Sequence, residues 1–117
     1  MPKVEFFGYS SCSSCRNAEA MLARRGIEID KRELFQSPLS SSEIHALFER
    51  TGLTPTTVLS RRSRPYATLG LSERSLTDGE IILLMSEYPA LIRRPIIVHG
   101  EDAVVGYIPA AIEALVG

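Results

Sequence analysis

The chain has 117 residues, the size of one domain with a buried core, and its 44% hydrophobic and 23% charged content fits a packed globular protein rather than a disordered one. A formal net charge of −1 leaves no general electrostatic footprint for DNA or RNA. No apolar run approaches the roughly 18–20 residues of a membrane span, so neither direct nucleic-acid binding nor a membrane partner is expected. The opening Met1-Pro2-Lys3 carries no signal-peptide pattern. The expectation is a cytoplasmic protein with a single domain over residues 1–117.

In chain order, Lys3 to Phe7 reads as a short strand, and Ser10 and Ser11 offer capping oxygens for a helix from about Cys12 to Arg25. Ala18, Met21 and Leu22 recur at helical spacing, and Gly26 stands where a helix stops. Ile27 to Leu34 alternates apolar and polar residues as a second strand does. This βαβ opening predicts a parallel strand pair with a right-handed crossover. Leu39-Ser40-Ser41-Ser42-Glu43-Ile44 combines a capping box, Ser40 with Glu43, and a hydrophobic staple, Leu39 with Ile44, and the helix it opens ends at Gly52. Leu76-Thr77-Asp78-Gly79-Glu80-Ile81 repeats the device for a helix running to about Tyr88. Between them, Thr56-Thr57-Val58-Leu59 fits a strand or a helical turn, and Arg61-Arg62-Ser63-Arg64-Pro65 reads as a loop. Ile96-Ile97-Val98 and Ala103 to Tyr107 form a predicted hairpin, and Pro109 opens a final helix. The order is β-α-β, a helical insert, then β-β-α, with no internal repeat or low-complexity tract.

The chemistry-bearing motif is Cys12-Ser13-Ser14-Cys15, the chain's only cysteines, set between the first strand and the first helix. That position places the first sulfur at a helix N-terminus, where unpaired N–H groups and the macrodipole favour the thiolate. The second sulfur follows one turn later, close enough to close a disulfide. Cys12 is the expected nucleophile and Cys15 the resolving thiol. Other readings carry less. Structural zinc needs four ligands, and the remaining candidates, His45 and His99, are isolated and far apart in sequence. A stapling disulfide suits small secreted domains. Inert buried cysteine is the more serious competitor, and the small residues flanking both sulfurs favour reactivity over it.

Four segments bear a resemblance to a known family: Ser11-Cys12-Ser13-Ser14-Cys15-Arg16, Pro38-Leu39-Ser40, Arg62-Ser63-Arg64, and Leu91-Ile92-Arg93-Arg94-Pro95-Ile96-Ile97-Val98. In order and spacing they resemble the arsenate reductase-like (ArsC) and Spx-like branch of the thioredoxin superfamily. The resemblance implies an α/β fold, a thioredoxin-like (glutaredoxin-like) central mixed sheet with an inserted helical subdomain at roughly residues 38–90. It also implies a cis peptide before Pro95 facing the cysteine loop, a bond that sequence alone does not give, since about 5–6% of X-Pro bonds are cis.

For an arsenate reductase the resemblance implies an oxyanion substrate held by guanidinium forks, which offset its repulsion of a thiolate. Arg94 is the matching anion anchor. The family's second arginine falls at Ser60 in a gapless comparison, with Arg61 and Arg62 as the neighbouring substitutes; the third position holds Tyr107. For the Spx-like branch, Cys15, Arg62 and Gly106-Tyr107 match. The implied role there is a redox switch that binds the C-terminal domain of the RNA polymerase α subunit, although Thr54 stands in place of the glycine used for that contact, with Gly52 nearby, and the sequence ends at Gly117 without the longer tail of the known regulators. The leading expectation is a thiol-disulfide oxidoreductase acting on a small oxyanion such as arsenate or on a disulfide. No cofactor is expected to be bound; glutathione with glutaredoxin, or thioredoxin, is the expected reductant. The alternatives are the polymerase-binding redox switch, and a protein that keeps the fold for another partner.

Overall fold

A computed structural model describes residues 3–117. The chain divides into two compact units, one made of residues up to Ser37 together with Arg94–Gly117, the other of Pro38–Arg93.

The first unit is built on four strands, β1 (Val4–Gly8), β2 (Ile29–Glu33), β3 (Ile96–His99) and β4 (Asp102–Val105), in the order β2-β1-β3-β4. β1 pairs parallel with β2, Val4 opposite Ile29, and antiparallel with β3, Phe6 opposite Ile97. β3 and β4 form the hairpin, with Ile97 opposite Val104. The central strands are largely buried: β3 carries Ile96, Ile97 and Val98 in succession, and β1 carries Val4, Phe6 and Phe7 around the half-buried Glu5. Helix α1 (Ser13–Arg24) connects β1 to β2, and α6 (Pro109–Val116) packs on β3 and β4. Val4, Phe6, Ala18, Leu22, Ile97 and Ile112 make one buried cluster that includes Cys15. This is the mixed sheet of a thioredoxin-like fold.

Two strands are shorter than the sequence suggests, for local reasons. β2 begins at Ile29 rather than Ile27, because the chain spends Gly26 and Ile27 on ending α1. The Gly26 N–H bonds Ala23 O at 2.9 Å and the Ile27 N–H bonds Leu22 O at 3.0 Å, with Gly26 at φ +70°, a paired closure that needs the left-handed conformation glycine supplies. β4 ends at Val105 rather than Tyr107, because Gly106 at φ +92° turns away and donates its N–H to Pro95 O at 2.7 Å.

The second unit is helical. Both capping boxes form: Ser40 Oγ accepts from Glu43 N–H at 3.1 Å while the Glu43 carboxylate accepts the Ser40 N–H, and Thr77 and Glu80 repeat the exchange. They open α2 (Ser41–Thr51) and α5 (Asp78–Glu87), which pack against each other around Ile44, Leu47, Phe48, Ile81 and Met85. The ambiguous stretch takes both forms in succession. Pro55–Val58 is the single turn α3, capped by Thr54, and Leu59 then makes an isolated antiparallel bridge with Ile92. The expected loop at Arg61–Pro65 is a turn only over Arg61 to Ser63, for Arg64 and Pro65 already open the short helix α4 (Arg64–Thr68), where a proline's missing N–H costs nothing. Among the described residues no helix is long and apolar enough to cross a membrane.

Candidate active site

The site forms where β1 hands over to α1, within the first unit. Gly8 closes the strand, residues 9–11 turn the chain, and Cys12 is the N-cap of α1, in an extended conformation (φ −87°, ψ 124°). Its N–H bonds Tyr9 O at 3.3 Å and its carbonyl accepts the Arg16 N–H at 3.0 Å, the first bond of the helix. The serines do not cap as expected, and α1 has no side-chain cap. Ser10 is engaged elsewhere: its N–H and hydroxyl both donate to Glu33 Oε2 at 3.0 Å, and Lys31 Nζ donates to the same hydroxyl at 3.1 Å. A carboxylate arriving from the end of β2 captures the serine that local sequence offers to the helix. The Arg16 side chain adds a bond to Ser10 O at 3.3 Å, so the turn is held from both sides.

The two cysteines sit in contrasting surroundings, and both are free thiols. Cys15, in the first turn of α1, is fully buried, whereas Cys12 is partly exposed. Partial burial is the largest influence on Cys12 and pushes its pKa up. Against it act hydrogen bonds from the Cys15 N–H, the Cys15 thiol and the Ser14 N–H, together with the Arg94 charge, and the net direction is down, toward the thiolate. The two N–H groups belong to the helix start, where they have no partner within the helix, and they favour the thiolate although no side-chain cap closes. Cys15 goes the other way. Burial pushes it up to about 12, the Tyr9 N–H bonded to its Sγ at 3.4 Å offsets part of this, and the neighbouring Cys12 adds to the rise. One sulfur is shifted toward the thiolate and the other is held protonated beside it.

Arg94 lies two residues before β3, and its peptide bond to Pro95 is cis. Its guanidinium carbon lies 4.6 Å from the centroid of the Tyr9 ring, and its positive charge acts on Cys12, Cys15 and Tyr9 alike. The structure thus brings Cys12, Cys15 and Arg94 into one neighbourhood. Arg61 and Arg62 belong to the other unit, where they line an open cleft with Thr56, Thr57, Ser60 and Arg93, the last fixed by a bond to Thr57 O at 3.2 Å. Tyr107 packs against the buried cluster of the sheet unit. Among the described residues no three His, Cys, Asp or Glu side chains gather as a metal site.

Two residues of the site escape a sequence reading, Gly8 and Tyr9. A Cβ on Gly8 would lie 2.7 Å from Cys15 Sγ, so the buried sulfur occupies the space that only glycine leaves open. Tyr9 is 2% exposed, stacks on Phe35 with ring centroids 3.8 Å apart, and carries the Arg94 guanidinium. The signal available was the position of both residues between an apolar strand and the cysteine turn.

Comparison with known proteins gives concordant results. The family model described as the ArsC family matches residues 7–115. The global transcriptional regulator Spx of Bacillus subtilis is 34% identical over 89% of this chain and 79% of its own length. An arsenate reductase of Rhizobium meliloti is 35% identical over 81% of this chain and 68% of its own. Among solved structures, the arsenate reductase from Vibrio cholerae superposes with a TM-score of 0.87 at 26% identity, covering 97% of this chain and 98% of that one.

Proposed function

Because this chain belongs to the ArsC family, we propose that it is a thiol-disulfide oxidoreductase in which Cys12 attacks an oxidised substrate, arsenate or a related oxyanion, or a disulfide. The observation that carries the reading is the contrast between the two free sulfurs, Cys12 partly exposed at the helix N-cap and shifted toward the thiolate, Cys15 fully buried and held protonated. A nucleophile must be ionised to react, while a resolving thiol must wait until the first bond has formed.

With arsenate, the Cys12 thiolate forms a sulfur–arsenic bond as one oxygen leaves as water. A second thiol, Cys15 or glutathione, then attacks the Cys12 sulfur; the new disulfide takes two electrons' worth of oxidation and arsenic leaves as arsenite. With a disulfide substrate, Cys12 displaces one thiolate, and Cys15 attacks Cys12 to release the other. Forming the adduct removes the negative charge on Cys12, one of the influences that hold the Cys15 proton, so the resolving thiol becomes easier to ionise when it is needed. Glutathione with glutaredoxin, or thioredoxin, restores the dithiol. Arg94 anchors the anion and favours the thiolate. Arg61 and Arg62, in their own cleft, serve a partner.

A second reading is favoured by the similarity to Spx, a transcriptional regulator. In it the same dithiol is a switch, and its oxidation governs binding to the C-terminal domain of the RNA polymerase α subunit. One experiment separates the two. Wild type and Cys12→Ser are assayed for arsenate- or disulfide-dependent thiol consumption with glutathione and glutaredoxin, and for capture of the α C-terminal domain under oxidising and reducing conditions. Turnover lost in Cys12→Ser supports the enzyme. Oxidation-dependent capture without turnover supports the switch in its place.

A further inference from the structure

Tyr9 lies between the chemistry and the scaffold, and three contacts of the residue converge there, two from its main chain and one from its ring. Its carbonyl accepts the Cys12 N–H at 3.3 Å, its own N–H donates to Cys15 Sγ at 3.4 Å, and its ring lies under the Arg94 guanidinium at 4.6 Å. The first two are main-chain bonds open to any residue at this position; the third belongs to the tyrosine ring alone. We propose that Tyr9 is a positioning residue, whose ring face fixes the Arg94 guanidinium in the field of Cys12 while its main chain ties down both sulfur-bearing residues. The inference rests on the reading of Cys12 as the reactive thiol and adds the residue that sets its charge environment.

An arginine side chain has several rotatable bonds, and a planar guanidinium gains attraction from an aromatic face, the more so where water is excluded. Tyr9 offers such a face at 2% exposure. Phe35, itself 54% exposed, stacks on that ring at an interplanar angle of 16° and limits its freedom to tilt. The charged and titratable groups acting on Tyr9 are Arg94, Cys15, Cys12 and Glu33, and burial keeps its phenol protonated up to about 12. The ring is therefore a neutral platform throughout the range in which Cys12 titrates. Glu33 does not compete for the arginine as a loose charge, since its Oε2 accepts both donors of Ser10.

The test is the titration midpoint of Cys12, read from the pH dependence of its iodoacetamide alkylation in reduced wild type, Tyr9→Phe, Tyr9→Leu, Phe35→Ala and Arg94→Gln, and in the Tyr9→Leu, Arg94→Gln double variant. Tyr9→Phe keeps the ring and should titrate as wild type does. Tyr9→Leu keeps bulk but loses the face, so its midpoint should rise and its alkylation slow by about 3- to 10-fold at a pH below both midpoints. In the Arg94→Gln background, Tyr9→Leu should add nothing. A folded Tyr9→Leu that titrates as wild type does, or that adds its full shift without Arg94, overturns the inference. Should Tyr9→Leu fail to fold, Phe35→Ala decides: a smaller shift in the same direction supports it and no shift overturns it. A wild-type Cys12 that titrates no lower than an ordinary thiol overturns the reading of the site itself, and this inference with it; a lowered wild-type midpoint untouched by Tyr9→Leu overturns the inference alone.

Discussion

Gly8 and Cys15 occupy one another's space: a Cβ on the glycine would stand 2.7 Å from the cysteine sulfur and 3.1 Å from the Phe6 ring. Both neighbours are fully buried, so neither can swing into solvent to relieve the contact. Gly8→Ala is therefore expected to destabilise the reduced protein by about 1–3 kcal/mol, the usual cost of overfilling a packed core. It should also slow closure of the Cys12–Cys15 disulfide, because the sulfur that must move is the one displaced. Urea unfolding under reducing conditions and the rate of mild oxidation check the two effects, and wild-type values for both would mean that β1 yields more easily than its packing implies.

The pair should behave as two distinct thiols. Cys12 is partly exposed and shifted toward the thiolate, Cys15 is buried and held protonated. At pH 7, alkylation followed by peptide mass analysis should find Cys12 modified more than about ten times faster. Mild oxidant should then give an intramolecular disulfide, a loss of about two mass units reversed by dithiothreitol, with no covalent dimer. Cys15→Ala removes a thiol and its hydrogen bond to Cys12, and so should raise the Cys12 midpoint. Equal reactivity of the two sulfurs would contradict the geometry.

How much of this could be read from the chain depends on whether a feature is fixed locally. Ser40 with Glu43 and Thr77 with Glu80 are legible, because each box is closed by side chains three residues from their partners. Gly26 is legible for the same reason. Ser10 misleads because its partner, Glu33, lies 23 residues away and reaches it only once β1 and β2 are paired. Thr54 to Leu59 stays ambiguous in sequence because the segment has no periodicity of its own; Leu59 is extended by its bridge to Ile92, a contact across the length of the insert. The cysteines announce themselves by spacing. The Tyr9 platform does not, since it exists only when β3 delivers Arg94 beside the cysteine turn.

Alkaline stability follows from the two groups whose acidity burial suppresses. Cys15 is raised from 9.0 to about 12, and Tyr9 from 10.0 to about 12. In each case the folded state keeps a proton that the unfolded chain releases, so the stabilisation is complete below the unfolded value and is lost as pH rises toward 12. Cys12 has the opposite sign: its contribution is full above the ordinary thiol value and fades as pH falls through its lowered midpoint. Above pH 9 it is therefore constant, and the slope belongs to Cys15 and then Tyr9. The urea midpoint of the reduced protein should fall between pH 9 and pH 11, and fall less steeply in Cys15→Ala. A midpoint independent of pH over that range would show that neither proton is held by the fold.

Arg94 separates the roles that the site could play. If the protein reduces an oxyanion, the guanidinium stabilises charge as sulfur attacks, and loss of one such preorganised donor typically costs about 10²–10³ in rate. Arg94→Ala should show that loss in arsenate-dependent turnover. Arg94→Lys keeps the charge but not the planar fork, nor the flat contact with the Tyr9 ring, and should recover only part of it. Arg94→Ala should also raise the Cys12 midpoint, because the Arg94 charge is one of the influences that lower it, and Arg94→Lys, which keeps a positive charge, should raise it less. The two readouts need not move together. A raised midpoint with no turnover to lose assigns Arg94 to the thiolate of a redox switch, whereas a fall in turnover larger than the lost thiolate fraction assigns it to the substrate as well. Turnover and midpoint both unchanged in Arg94→Ala would remove this arginine from the site under either reading.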